Sequence, residues 1–193
     1  CALSAQNGDI DYGSTFGPSP DFDALFFADI SGTVFNDNAL MTVGYFGNIA
    51  SQTDFSSYLG DFTQLGTETA FGAGVNGYLS ASVSNLSGDL TSFTPYVLIL
   101  GGITDFSDAD DATSYSIFGD SSWGTLPAGS GPPNAVANLR VLAPDDIVVG
   151  TWAASGTSGT LSAISTAVVP EPSAYALLGG LFALTCVMLR RRV

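Results

Sequence analysis

The chain has 193 residues and a formal net charge of −14, with four basic residues, all arginine, against eighteen acidic ones, and no histidine. Seventeen of the acids lie before Val169, where Arg140 is the single base, so the body repels nucleic acid, whose binders need clustered Lys and Arg to displace counterions. Without histidine or lysine, His-based acid, base and zinc chemistry, a Ser-Lys pair and a lysine-bearing phosphate loop are all excluded.

Taken in chain order, Cys1-Ala2-Leu3-Ser4-Ala5 reads as the end of a signal peptide, cut after Ala5 to release Gln6. Cys1 as a lipidated first residue is the alternative. The other cysteine, Cys186, lies in a C-terminal apolar run, so no disulfide staples the body and its core must suffice. One domain of ordinary size fits this length, which divides into 1–5, 6–168 and a tail at 169–193.

Residues 6–20 are rich in Gly, Ser, Pro and Asp and read as a loose leader with one short strand. Apolar or alternating runs then recur at Ala24–Ile30, Ala39–Phe46, Gly77–Val83, Pro95–Leu100, Thr113–Phe118, Ala135–Val141, Ile147–Ala153 and Thr160–Val168. Separated by Gly, Asn, Asp and Pro, they predict strands. A mainly β protein follows, in the form of a single antiparallel β-sandwich or jelly-roll-like domain.

One segment breaks the period. Between Ser51 and Gly66, the residues Phe55, Tyr58, Leu59, Phe62 and Leu65 fall at helical spacing, with Ser51 or Thr53 as N-cap and Gly66 as the close. A short helix over one sheet edge or end is predicted, its aromatic stripe serving as core.

Asp105, Asp108, Asp110 and Asp111 form the densest acidic stretch, and oxygen donors on one loop suit calcium. The spacing is not that of an EF-hand, and a solvated loop is the plainer reading. Trp123, in the turn-like Ser121-Ser122-Trp123-Gly124, is a candidate sugar contact, whereas Trp152 follows an apolar run and reads as core. Paired carboxylates, Asp21 with Asp23 or Asp145 with Asp146, are what remains for catalysis of the glycosidase kind. Acidic turns are commonplace, so a non-enzyme is expected.

The tail has three parts. Pro170-Glu171-Pro172 stops any helix from running upstream, Ala174 to Leu189 is uncharged, and Arg190, Arg191 and Arg192 follow. As a helix, 174–189 spans about 24 Å at 1.5 Å per residue, a short transmembrane segment, and the arginines hold its end on the cytoplasmic side. Pro170-Glu171-Pro172, continued by Ser173-Ala174-Tyr175-Ala176-Leu177-Leu178-Gly179-Gly180, the apolar run and the arginines, resembles the PEP-CTERM sorting signal. That resemblance implies handling by exosortase, a membrane-embedded transpeptidase-like enzyme that recognises the Pro-Glu-Pro. Gly44-Tyr45-Phe46, Asp54 to Leu59, Tyr96 to Leu100 and Val148 to Thr151 are similar to phrases in other proteins with this tail.

The expectation is therefore an exported protein, an inner-membrane-anchored precursor delivered to the cell surface or exopolysaccharide matrix, structural or adhesive and without a certain cofactor. A calcium-assisted glycan-binding module is the alternative, and a carboxylate-based glycoside hydrolase the more distant one. Exosortase, the membrane and exopolysaccharide are the expected partners.

Overall fold

Tyr96-Val97-Leu98-Ile99-Leu100 and Leu40-Met41-Thr42-Val43 are apolar with little alternation, the pattern of strands covered on both faces, and they lie side by side at the centre of the largest sheet. The structure, a computed structural model, describes residues 8–13, 24–72, 77, 80–86, 93–119, 136–140, 147–155 and 158–166. Within these the chain is mainly β. The first strands are β1 (Gly8–Gly13), β2 (Ala24–Ala28) and β3 (Ala39–Phe46), followed by a 3-10 turn (Ile49–Ser51), α1 (Phe55–Asp61), β4 (Phe62–Ala70), β5 (Ser80–Leu86) and β6 (Pro95–Gly101). A 3-10 helix (Phe106–Asp111) then precedes β7 (Ser114–Phe118), β8 (Val136–Arg140), β9 (Ile147–Val149), β10 (Thr151–Ser155), β11 (Ser158–Ser162) and β12 (Ile164–Ser165).

The large sheet runs β12-β7-β6-β3-β4, with β9 also on β7; two three-stranded sheets are ordered β5-β1-β8 and β10-β11-β2. In the large sheet Met41 pairs with Ile99, Val43 with Val97 and Leu40 with Leu100, so odd and even residues of β3 build opposite faces. Ala39, Met41, Val43, Val97 and Ile99 meet Ile10 and Val83 from one small sheet and Phe27 and Leu161 from the other. On the reverse face Leu40, Leu98, Leu100, Tyr115 and Ile117 are covered by Phe55, Tyr58 and Leu59 of α1 and by Ala109 and Ala112 around the 3-10 helix. Sheet therefore packs on sheet across one core, while a helical layer closes a second.

Two pairings depart from an all-antiparallel plan: β1 with β8 and β11 with β2 are parallel. Strands expected as single runs are also divided. Ile147–Ala153 breaks at Gly150, whose φ of +135° only glycine adopts freely, and Thr160–Val168 breaks at Ala163. Each break moves the chain from one sheet to another: β9 and β12 pair with β7, whereas β10 and β11 form a hairpin that joins β2. Trp152 is partly buried against the first core, in keeping with its expected place.

The predicted helix is shorter than its spacing suggests. It occupies Phe55–Asp61 alone, and its N-cap is Asp54, not Ser51 or Thr53. Asp54 Oδ1 accepts the Ser57 N–H at 2.9 Å while Ser57 Oγ lies 3.1 Å from the Asp54 N–H it accepts, a reciprocal capping box. Beyond Asp61, Thr63, Thr67 and Thr69 favour extended backbone, and pairing with β3 wins: Phe62–Ala70 is a strand. Gly66 ends no helix. With φ +72° it sits in the bulge where the register slips between Met41 and Val43.

Candidate functional site

The acidic stretch winds into a 3-10 helix because Asp105 caps it, its Oδ1 accepting the Ser107 N–H at 2.8 Å and the Ser107 hydroxyl at 2.6 Å. The hydroxyl, then the N–H, hold the Asp105 carboxyl below its ordinary range. Ala109 and Ala112 turn inward, leaving Asp105, Asp108, Asp110 and Asp111 exposed. Among the described residues no three Asp, Glu, Cys or His side chains form a group able to hold a metal ion.

Trp123 lies outside the described residues, as do Pro170, Glu171, Pro172, Arg190, Arg191 and Arg192 of the tail and the pairs Asp21 with Asp23 and Asp145 with Asp146. The apolar run 174–189 is outside them too. No helix among the described residues is long and apolar enough to cross a membrane.

A polar chain ties the acidic turn to the sheet. Gln64 Nε2 donates to Oγ1 of the fully buried Thr42 at 3.1 Å and to Glu68 Oε2 at 2.9 Å, and Glu68 Oε1 accepts the Phe106 N–H at 3.4 Å. Glu68's own backbone amide, the Gln64 amide and the Phe106 N–H outweigh burial and the nearby Asp105 charge, and keep the Glu68 carboxyl below its ordinary range. A carboxylate with a depressed folded pKa stabilises fully above its unfolded pKa, and that contribution is lost as pH falls through the folded value. Glu68→Gln is therefore expected to flatten the fall of the urea midpoint between about pH 5 and pH 3. Superimposable acid limbs for parent and variant would remove Glu68 from the account.

Two clefts are lined by described residues and bear on the site. The first, about 290 Å³, lies among Asp29, Thr33, Asn36, Asp37, Asn38 and Thr113. Its polar groups are partly spent: Asp29 Oδ1 accepts the Ser31 hydroxyl at 2.7 Å and the Ser31 and Thr33 N–H groups at 2.8 and 2.9 Å. These bonds, the Ser31 hydroxyl foremost, draw the Asp29 carboxyl below its ordinary range and fold the turn between Ala28 and Val34.

The second cleft, about 350 Å³, is walled by Phe46, Asn48, Ile49, Phe93, Thr94 and Tyr96. Phe93 stacks on Tyr45 with centroids 4.0 Å apart, and Tyr96 meets Phe46 edge-on at 5.3 Å. Gly119 underlies Tyr96 so closely that a Cβ there would lie 2.2 Å from the ring, so only glycine leaves the ring room in this position. Burial raises the Tyr96 hydroxyl pKa, so it stays a neutral donor. At the rim, Asp61 Oδ2 accepts the Asn48 N–H at 2.8 Å and Gln52 Nε2 at 3.1 Å, which anchors the turn bearing the Asn48 side chain.

Comparison with known proteins gave no match to any family model, any curated protein or any solved structure. The second cleft was not legible in the sequence. Its walls come from the end of β3, the turn after it and the start of β6, segments some fifty residues apart that antiparallel pairing of Tyr45 with Pro95 brings together. Only Gly44-Tyr45-Phe46 and Tyr96 stood out beforehand, and for another reason.

Proposed function

We propose that this chain is an exported, non-catalytic β domain, delivered by exosortase to the cell surface or exopolysaccharide matrix, where its role is structural or adhesive. The observation that carries the reading is the tail: Pro170-Glu171-Pro172, an uncharged run at 174–189 and three arginines, in that order. Each part has a physical task. The prolines keep an extended strip available to an enzyme, the apolar run holds the precursor in the inner membrane, and the arginines set its direction.

The body suits the same destination. Its acidic surface stays soluble and avoids anionic polymers, and its two cores need no disulfide. The small sheets packed on the large one support reading the body as a β-sandwich variant, with a helical cover added on the outer face.

The test is the intact mass of the native protein isolated from its own cells, with and without a functional exosortase. The expected mass lacks the leader up to Ala5 in both cases and the segment after the Pro170 to Pro172 region only where the enzyme works. An uncut tail in cells with active exosortase would overturn the sorting reading and leave a permanently anchored protein.

A further inference from the structure

We propose that the cleft between Phe46 and Tyr96 is a binding subsite for an uncharged pyranose unit of a glycan. The proposal rests on the adhesive reading above and gives it a ligand class. A pyranose ring carries apolar C–H faces and a rim of hydroxyls, so its receptor needs aromatic surface beside hydrogen-bonding groups that the protein has not already used. This cleft has both. Phe93 and Tyr96, both partly exposed, supply the rings beside the buried Phe46, and the Asn48 amide, the Thr94 hydroxyl and the Tyr96 hydroxyl have no hydrogen-bond partner among the described residues.

That freedom contrasts with the neighbouring polar side chains. Gln52, Asp54, Ser57 and Asp61 are all committed to backbone or to one another. The uncommitted groups stand on packed supports: Asp61 holds the Asn48 turn, Tyr45 stacks on Phe93, and Tyr96 meets Phe46 edge-on where Gly119 leaves it room. A preorganised site loses little side-chain freedom on binding. Its volume of about 350 Å³ lies at the small end of the 300 to 1,000 Å³ range of ligand sites, fitting one or two sugar units.

Charge selects among sugars. Among the described residues no base lines the cleft, Asp61 stands behind its rim, and the chain carries −14 overall. A uronate or sulfated unit would meet repulsion with no compensating cation, whereas a neutral hexose meets none.

Full-length protein in a zwitterionic, sugar-free detergent is titrated by calorimetry with hexaoses of glucose, mannose, galactose and N-acetylglucosamine, and with oligogalacturonate. Saturable binding of at least one neutral hexaose is expected, with none of oligogalacturonate. Asn48→Ala and Tyr96→Phe, both expected to keep the parent thermal midpoint, should each weaken binding about three- to tenfold, as loss of one hydrogen bond does. Asp37→Asn in the cleft beside Asp29 should leave it unchanged. Absence of binding to every neutral hexaose, equal binding of oligogalacturonate, or parent-like affinity in both cleft variants would overturn the proposal. Tail processing is read separately by mass, so a sorted chain that binds no hexaose sinks only this inference, and a binding chain with an uncut tail sinks only the sorting reading.

Discussion

Phe27→Ala is expected to cost about 3–5 kcal/mol, the usual range for removing a fully buried Phe, against a total stability of about 5–15 kcal/mol for a domain of this kind. Phe27 is wholly inaccessible to solvent and belongs to β2. Its ring stacks on Phe118 of β7 at 5.6 Å and meets Phe71 edge-on at 6.1 Å, so one side chain joins a small sheet to the large one. Its backbone is equally committed, since the Phe27 N–H donates to Gly77 O at 2.7 Å and its carbonyl accepts the Phe35 N–H at 3.0 Å. Urea unfolding followed by tryptophan and tyrosine fluorescence would measure the loss. Phe27→Leu, which keeps most of the volume, should recover more than half of it. A loss below about 1 kcal/mol would mean that the small sheet is not held through this ring.

Gly44→Ala should also destabilise, for an opposite steric reason. A Cβ on Gly44 would stand 2.3 Å from the Thr63 carbonyl oxygen and 2.4 Å from the tip of the Phe62 ring. The ring is itself packed against Phe46 and Phe106, with centroids 5.1 and 6.1 Å away. The carbonyl belongs to the β3–β4 pairing, where Gly44 lies opposite Gln64 and Tyr45 opposite Thr63, and cannot retreat without opening the edge strand. The expected loss is about 1–3 kcal/mol, with faster amide exchange in β4 than in β6. Gly60→Ala supplies the contrast. Gly60 lies in α1 with nothing within 4 Å of an added Cβ, so alanine there should stabilise by up to about 1 kcal/mol. Equal effects at the two glycines would discredit this account of Gly44.

What the sequence made legible follows from how each element is stabilised. The runs at β3 and β6 are legible nearly to the residue because burial on both faces demands mostly apolar side chains, whereas β7, with Ser114 and Ser116 buried between apolar neighbours, is legible from its aromatic and β-branched residues Tyr115, Ile117 and Phe118. The helical spacing from Phe55 to Leu65 was half true. Phe55, Tyr58 and Leu59 do lie on one face of α1, but Phe62 keeps the spacing while serving a strand, its ring filling the space over Gly44. Periodicity cannot tell a residue that follows a helix from one that ends it when both pack on the same core. The breaks at Gly150 and Ala163 were missed because the apolar pattern passes through them. Partners changed there, not polarity. Asp105 to Asp111 was read as a loop because its acids mask the inward alanines, and the aromatic cleft was invisible because no local pattern records a meeting of distant segments.

The passage from β11 into β12 determines how the body would respond to a pull from the tail. Tension on the chain beyond Thr166 reaches first the Thr166 N–H and hydroxyl, bound to the Thr113 and Ala112 carbonyls at 3.2 and 2.7 Å, and then the two residues of β12 against β7. These few bonds form a fuse. Once they open, the force falls on β11, which is flanked by five-residue ladders to β10 and β2 and pinned at its end by the Ala163 N–H to Ala28 carbonyl bond. Such a body would yield by a few residues at low force and then resist, giving slack without unfolding.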